Sequence, residues 1–156
     1  MEMSKTAAAD QSKAVTAESI TEAEWEVMRI VWTLGQTNAG KIIEQLQIKH
    51  HWSESTIKTL MRRLVNKGML ATQRDGHRFL YSATCSQAQT MLQVTDSLFN
   101  RMCDMHKGGL LIDLIKTTPL AKKDILALID ELEKRVETAP ASVPCDCLAD
   151  GKKDQC

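Results

Sequence analysis

Three cysteines lie within the last twelve residues of this 156-residue chain, at Cys145, Cys147 and Cys156. Two thiols separated by one residue can hold a soft cation without a long loop between them. Three thiolates suit Cu(I), whereas a fourth sulfur ligand would complete the tetrahedral site of Zn(II). Histidine is absent from residues 139–156, so a metal there would take sulfur alone, or sulfur with a carboxylate or water. The spacing therefore predicts metal ligands at Cys145, Cys147 and Cys156.

The chemistry of these thiols depends on the compartment. No apolar run approaches the ~18 residues of a membrane span, and residues 1–19 lack the apolar core of a signal peptide. The sequence thus predicts a cytoplasmic protein, where disulfides are uncommon. Incidental cysteines are more often buried than grouped in a polar tail. Of the other two cysteines, we expect Cys103 to lie in the core of its helix, and we assign no role to Cys85.

A second chemically distinctive stretch is the amphipathic segment at residues 53–67. Ser53 is a candidate N-cap and Gly68 a candidate C-terminal signal. One face of the segment is apolar, and the other combines cations with short polar side chains. DNA requires that combination, because cations contact phosphates and small hydrogen-bonding groups read base edges. The predicted phosphate contacts are Lys58, Arg62, Arg63, Arg74 and Arg78, and the predicted base readers are Ser55, Thr56 and Thr59.

The charge distribution favours the same interpretation. The chain is neutral overall, but residues 36–82 carry eight Lys or Arg against three Asp or Glu, an excess of +5. A local excess of this kind predicts a polyanionic partner. The alternative for the segment alone is an ordinary solvated helix face.

Two helices precede the amphipathic segment, and a hairpin follows it. Thr21 and Glu24 form a capping box for the first helix, and Asn38 can cap a shorter second one. Two short alternating runs after the segment are joined by Asp75-Gly76, a strong hairpin signal. Three helices and a hairpin with a basic tip predict a winged helix-turn-helix whose third helix lies in the major groove.

Three further helices are predicted after the hairpin. The first should be broken by Gly108-Gly109, and the last should run from about Ala121 to Val136. Their apolar stripes exceed what so small a region can bury on itself, which predicts a homodimer. The fold class is therefore mostly α, a winged helix-turn-helix followed by a three-helix dimerisation region and a flexible Cys-rich tail. The predicted domains are a disordered extension (1–19), a winged-helix DNA-binding domain (20–83), a helical dimerisation domain (84–138) and a flexible metal-binding tail (139–156).

Several segments resemble one known family. TEAEWEVMRIVW, KIIEQL and STIKTLMRRLVNKGML, with the basic hairpin and RFLYS, are similar to the winged-helix repressors of the beta-lactamase and methicillin-resistance operons (BlaI, MecI and CopY). The resemblance covers about residues 20–135, and the cysteine tail resembles that of the copper-responsive CopY branch. It implies a homodimer on a palindromic operator upstream of copper-transport genes, with Zn(II) in the DNA-bound form. It also implies that Cu(I), delivered by a small copper chaperone, displaces the zinc and releases the DNA.

Two features depart from the family's pattern. CopY tails usually carry two Cys-x-Cys pairs, whereas here only Cys145 and Cys147 form a pair, so three thiolates per subunit are expected, with the partner's tail as a further source. The beta-lactam branch is inactivated by cleavage of an Asn-Phe bond in the helix after the wing. Here the order is Phe99-Asn100, which argues against an antibiotic-responsive repressor.

Other functions were weighed against copper-responsive repression. The same repressor could respond to thiol oxidation or to a beta-lactam signal, or the chain could be a copper-buffering thiol protein with an incidental basic helix. No phosphate-binding loop, zinc-protease motif or local Ser, His and carboxylate pattern is present. The sequence therefore predicts that the protein is not an enzyme.

Overall fold

Six helices and three short strands make up the computed structural model, which describes residues 20–149. The predicted extension at 1–19 and the predicted ligand Cys156 lie outside the described residues. The helices are α1 (Glu22–Leu34), α2 (Ala39–His50), α3 (Glu54–Asn66), α4 (Gln87–Phe99), α5 (Asp104–Thr117) and α6 (Lys122–Val136). The strands are β1 (Thr37–Asn38), β2 (Leu70–Asp75) and β3 (Arg78–Ala83).

The predicted caps of the first three helices are confirmed. The Thr21 hydroxyl accepts a hydrogen bond from the backbone N–H of Glu24, whose carboxylate accepts one from the N–H of Thr21. Asn38 caps α2 and Ser53 caps α3 in the same way, each accepting from a backbone N–H three residues on. These bonds satisfy N–H groups that have no partner inside a helix, and they fix where each helix begins.

The hydrophobic core lies between the first three helices and the sheet. Twelve apolar side chains are 0–8% exposed, and four of them lie on one face of α3. Burial of one face of α3 leaves its opposite face to solvent, as its amphipathic pattern requires. The core side chains are Val27, Met28, Ile30, Val31, Ile42, Leu46, Ile57, Leu60, Met61, Leu64, Met69 and Leu70.

The hairpin belongs to a three-stranded antiparallel sheet with the order β1-β3-β2. β1 was not predicted, because two residues are too short to show an alternating pattern. Asp75 pairs with Arg78, so the turn is Gly76-His77 and the prediction of Asp75-Gly76 was wrong by one residue. Gly76 has a φ of 60°, a conformation that glycine adopts without strain.

α2 ends at His50, and the next residue, His51, has the left-handed conformation. One predicted helix boundary was wrong. α4 ends at Phe99, and α5 then runs from Asp104 straight through Gly108-Gly109. The break between these helices is therefore at residues 100–103, and the two glycines lie inside a helix.

The chain divides into two compact units, Met1–Thr95 and Asp96–Cys156, and the division falls within α4. The first unit contains the winged helix, and the second contains α5, α6 and the chain up to the tail. The fold class predicted from the sequence is confirmed, whereas the functional domain boundary at residue 84 stays a prediction. Within residues 20–149, no helix has the length and apolarity needed to cross a membrane.

Candidate nucleic-acid interface and thiol site

A cluster of hydroxyl groups lies at the exposed N-terminus of α3. The Ser53 oxygen is 3.0 Å from the Ser55 hydroxyl and 2.8 Å from the Thr56 hydroxyl. The Thr59 hydroxyl donates to the Ser55 carbonyl over 2.9 Å, and this side chain is half-buried. The structure thus brings the three predicted base readers together on one turn and a half of α3. Each hydroxyl can still accept or donate a further hydrogen bond.

The predicted phosphate contacts on α3 differ in whether an acidic side chain pairs with them. Lys58 pairs with Glu54 over 2.5 Å, with both side chains more than half exposed, so solvent screens this pair strongly. Arg62 and Arg63 are exposed and form no ion pair with any residue between 20 and 149. The two arginines therefore present the least compensated positive charge of the helix.

The wing carries the other two predicted phosphate contacts. Arg74 and Arg78 are exposed on β2 and β3, and Arg74 donates from Nε to the Gly76 carbonyl over 3.1 Å, which orients it at the hairpin tip. A cleft of about 440 Å³ separates α3 from the wing. Its walls include Lys58 and Arg62 on α3 and the aromatic rings of Phe79 and Tyr81 on β3.

Buried charge holds α3 against α1. Glu24 is 1% exposed and receives a hydrogen bond from Lys67 over 2.6 Å. Burial alone would raise the pKa of this carboxyl, but the hydrogen bonds from Lys67 and Thr21 together keep its pKa below the usual value. Lys67 is therefore committed to the fold, although it lies near the cations of α3.

A second charged cluster joins α1 to α2. Glu26 lies 3.0 Å from His50 and 3.3 Å from Lys49, and it pairs with Arg29 over 2.7 Å. The hydrogen bond from His50 is the main cause of a Glu26 pKa of about 2, with Arg29 next. His50 also stacks on Trp52. The His50 ring therefore has structural partners within the fold.

The described tail cysteines meet a third cysteine in the second unit. The sulfur atoms of Cys103, Cys145 and Cys147 all lie within 4.8 Å of one another. Cys103 is half-buried at the residue before α5, so the expectation that it lies in a helix core was wrong. Among residues 20–149, the candidate ligand atoms that lie this close to one another are all sulfur, and the neighbouring Asp146 carboxylate is hydrogen-bonded to Cys103. Such donors suit soft cations.

The tail is held against the start of α5 by polar contacts as well. The Asp104 N–H donates to the Asp146 carboxylate over 3.0 Å, and Lys107 contacts the Asp104 carboxylate. This backbone N–H is the main cause that lowers the pKa of Asp146, and the N–H of Asp146 itself, a hydrogen bond with Cys103 and the charge of Lys107 contribute less. An anionic side chain at a helix N-terminus is favourable, because the unpaired N–H groups there carry partial positive charge.

The sulfur atoms differ in oxidation state and proton affinity. Cys145 is disulfide-bonded. The Cys103 side chain, burial and the negative charge of Asp146 raise the pKa of the Cys147 thiol. A bound cation would reverse that effect, since it stabilises the thiolate. Metal binding by Cys145 requires reduction of its disulfide.

Cys85 belongs to the first unit and serves the fold. Its carbonyl accepts a hydrogen bond from the Trp32 ring, and its sulfur is 3.3 Å from the buried Thr90 hydroxyl. Sequence reasoning missed the grouping of Cys103 with the tail. The available signal was that cysteine supplies no oxygen for capping a helix, yet it stands just before one.

Comparisons with known proteins agree with this architecture. A family model described as penicillinase repressor matches residues 20–134. The chain is 51% identical to a 16.5 kDa protein of Latilactobacillus sakei, over 83% of this chain and 88% of the relative. It is 31% identical to the methicillin resistance regulatory protein MecI of Mammaliicoccus sciuri, over 74% of this chain and 94% of the relative. A solved structure of Bacillus licheniformis BlaI, in its monomeric form with the blaP half-operator, is 33% identical with a TM-score of 0.41, covering 45% of this chain and 85% of that chain.

Proposed function

Because the chain belongs to the penicillinase repressor family, we propose that it is a dimeric repressor of a copper-homeostasis operon that binds a palindromic operator. It leaves the operator when Cu(I) binds tail thiolates and replaces Zn(II). Proteins of this family are transcriptional repressors rather than enzymes, which confirms that part of the sequence prediction. The observation that carries the metal response is the group of three sulfur atoms in the unit that contains α5 and α6.

α3 is the proposed reader of operator sequence. Its N-terminus enters the major groove, where Ser55, Thr56 and Thr59 contact base edges. Ser55 and Thr56 are exposed, and the hydroxyl network at Ser53 holds them in defined positions before DNA arrives. Preorganised side chains lose less conformational entropy on binding.

Cations on and near α3 are proposed to fix the position of this helix along the DNA backbone. Lys58, Arg62 and Arg63 on α3, with Arg74 and Arg78 on the wing, contact phosphates. Lys58 exchanges its exposed pair with Glu54 for a phosphate at little cost, because such pairs are weak. If five cations in each of two subunits release counterions, the log–log salt slope of binding approaches ~−9 as an upper bound.

A second copy of the chain covers the apolar faces of α5 and α6. Leu111 and Ile112 on α5, and Ile125, Ile129 and Leu132 on α6, are 44–58% exposed within one chain. Exposed apolar surface on this scale marks a contact site, and a two-fold axis pairs the same surface on both subunits. Two recognition helices then read the two halves of a palindrome.

The tail thiolates are the proposed sensor. Cys145 and Cys147 hold the cation, together with Cys156, the third ligand predicted from the sequence. Cu(I) accepts three soft thiolates, whereas structural Zn(II) takes four donors. Release follows if the ion favours a dimer that cannot bind DNA. A ~100-fold loss of affinity requires only ~2.7 kcal/mol of differential binding.

A gel shift tests the proposal. The reduced full chain is titrated onto DNA upstream of its own gene, with Zn(II), Cu(I) or an oxidant added. The wild-type protein should shift the fragment, and Cu(I) should abolish this shift. Cys145→Ser/Cys147→Ser should shift the fragment equally with and without Cu(I). An unchanged copper response in the double variant would rule out the tail as sensor. Absence of any shift would favour the copper-buffering alternative.

The disulfide at Cys145 favours one second candidate, release by thiol oxidation. In that case oxidant would release the DNA with no metal present, and Cu(I) would have no effect under reducing conditions. The beta-lactam alternative receives no such support. The bond cleaved in that branch joins Asn to Phe, whereas this chain has the opposite order, Phe99-Asn100.

A further inference from the structure

We infer that Cys103 is a further thiolate ligand, so that one thiophilic cation bound with Cys145 and Cys147 ties the tail to the start of α5. This inference deepens the proposed function and rests on it only for the identity of the effector. It adds a ligand 42 residues before the tail pair, outside the Cys-rich segment that the sequence singled out.

The position of Cys103 is the first observation. It occupies the N-cap of α5 with extended backbone angles, and its side chain makes no capping hydrogen bond. Serine, threonine, aspartate and asparagine are preferred there because their oxygens accept from the helix N–H groups. The cysteine side chain is directed instead toward two other sulfur atoms.

An independent contact holds the tail at the same place. Asp146, between the two tail cysteines, accepts the Asp104 N–H and so performs the capping that Cys103 does not. The N–H of Cys147 also lies 3.4 Å from the Cys145 sulfur. The backbone and carboxylate contacts therefore position both tail sulfurs over the start of α5 without any contribution from a metal.

The spacing of the sulfurs fits a single ion. Zn–S bonds of about 2.3 Å in tetrahedral geometry place sulfurs about 3.8 Å apart. The three sulfurs already lie within 4.8 Å of one another. In the reduced chain, small side-chain rotations would bring three thiolates to a common centre. Sulfur-only donors select thiophilic cations over Mg²⁺ or Ca²⁺.

Such a site would control the dimerisation helices. Cys103 precedes α5 and Cys145 follows α6, so the ion would close a loop that contains both helices. It would also fasten residues 100–103, the only non-helical link between α4 and α5. Metal occupancy would then bias the arrangement of the apolar faces on α5 and α6. The sensor therefore acts on the helices that hold two DNA-binding units together.

Co(II) spectroscopy of the reduced full chain tests this ligand assignment. Thiolate-to-Co(II) charge-transfer absorption counts the bound thiolates, and competition with Zn(II) then gives the zinc affinity. Cys103→Ser should lower the absorption by roughly a quarter to a third, one thiolate of three or four. It should weaken zinc binding more than about 100-fold, the upper end of what loss of an outer-sphere partner costs. Cys85→Ser, a half-buried cysteine outside the cluster, should change neither.

Misfolding cannot mimic this result, because serine is a better N-cap than cysteine and should support α5. Wild-type absorption and zinc affinity in Cys103→Ser would overturn the inference and leave the proposed function intact. A different pair of results would be that Cys103→Ser lowers both the absorption and the zinc affinity while operator binding by the wild-type protein does not respond to Cu(I). That pair of results would support Cys103 as a ligand and refute the proposed function.

Discussion

At the scale of single residues, α3, the proposed recognition helix, carries two kinds of candidate DNA contact. Its arginines are exposed and uncompensated within the described residues, and its hydroxyls form a network at the N-terminus. Phosphate contacts add affinity for any sequence, whereas base contacts discriminate between sequences. Substitutions of the two kinds should therefore have different signatures.

Arg62→Ala should weaken binding to operator and to random DNA by a similar factor. Loss of one phosphate contact in each subunit should reduce the magnitude of the log–log salt slope by about 2. Fluorescence anisotropy at several salt concentrations measures both effects. Lys116→Ala, which removes an exposed cation of α5, is the matched control and should leave the slope unchanged.

Thr56→Ala should instead relax specificity. We expect operator affinity to fall by ~1–3 kcal/mol while random-DNA affinity and the salt slope stay near wild type. An equal loss on both DNAs would mean that Thr56 does not read a base.

At the scale of elements, ion pairs join α1 to α2, and α5 is a single unbroken helix in the second unit. Glu26 connects the first pair of helices through His50 and Lys49. Gly108 and Gly109 lie inside α5, and a Cβ at either position would meet no atom of residues 20–149 within 4 Å, apart from its chain neighbours and the adjacent backbone of the helix itself. Each feature predicts a measurable stability effect.

Stability should fall in acid because of Glu26. Its pKa is about 2 in the folded chain, below the usual 4.5, chiefly because of the hydrogen bond from His50. A lowered pKa adds stability above the unfolded value, and this contribution is lost as pH falls from about 5 to 2. The contribution is at most about 3 kcal/mol, at 1.36 kcal/mol per pKa unit. Urea unfolding should show a shallower acid loss in Glu26→Gln, and parallel pH curves for the two proteins would contradict this origin.

Gly108→Ala and Gly109→Ala should each stabilise α5 by about 0.5–1 kcal/mol. Alanine loses less backbone entropy on forming a helix, and neither position requires a positive φ. Thermal unfolding of each variant measures the gain. A destabilised variant would instead indicate that the second subunit packs within a methyl group of that position.

Local signals predicted most of the first unit and little of the thiol group. Capping residues and helical spacing identified α1, α2 and α3, because those signals act within a few residues. Cys103 continued the spacing of α4, so the break at residues 100–103 was missed. The contact that starts α5 comes from Asp146, 42 residues after Asp104, and no sequence window contains both. The glycines misled because their cost in a helix is only about 1 kcal/mol each.

At the scale of the whole molecule, the proposed function requires two copies of the chain. A second copy would cover the exposed apolar side chains of α5 and α6, and a palindromic operator would take two recognition helices. The thiol group lies in the unit that contains α5 and α6. Under the proposed function, metal binding, dimerisation and DNA binding are therefore linked equilibria in one assembly.

Ile129→Asp should disrupt the dimer, because it places a charge in the apolar face of α6, where Ile129 is 46% exposed in one chain. Sedimentation should show a monomer at micromolar concentration, and operator affinity should fall more than about 10-fold. Lys134→Ala, which breaks an exposed pair on the same helix, should remain dimeric. A dimeric Ile129→Asp would move the proposed contact away from this face.

The most direct test is the operator affinity of the reduced dimer with Zn(II) and with Cu(I), measured by anisotropy under identical salt. We expect a dissociation constant about 100-fold higher with Cu(I), equivalent to ~2.7 kcal/mol of coupling, and no difference in Cys145→Ser/Cys147→Ser. Equal affinities of the wild-type dimer in the two metal states would contradict copper-dependent release of the operator.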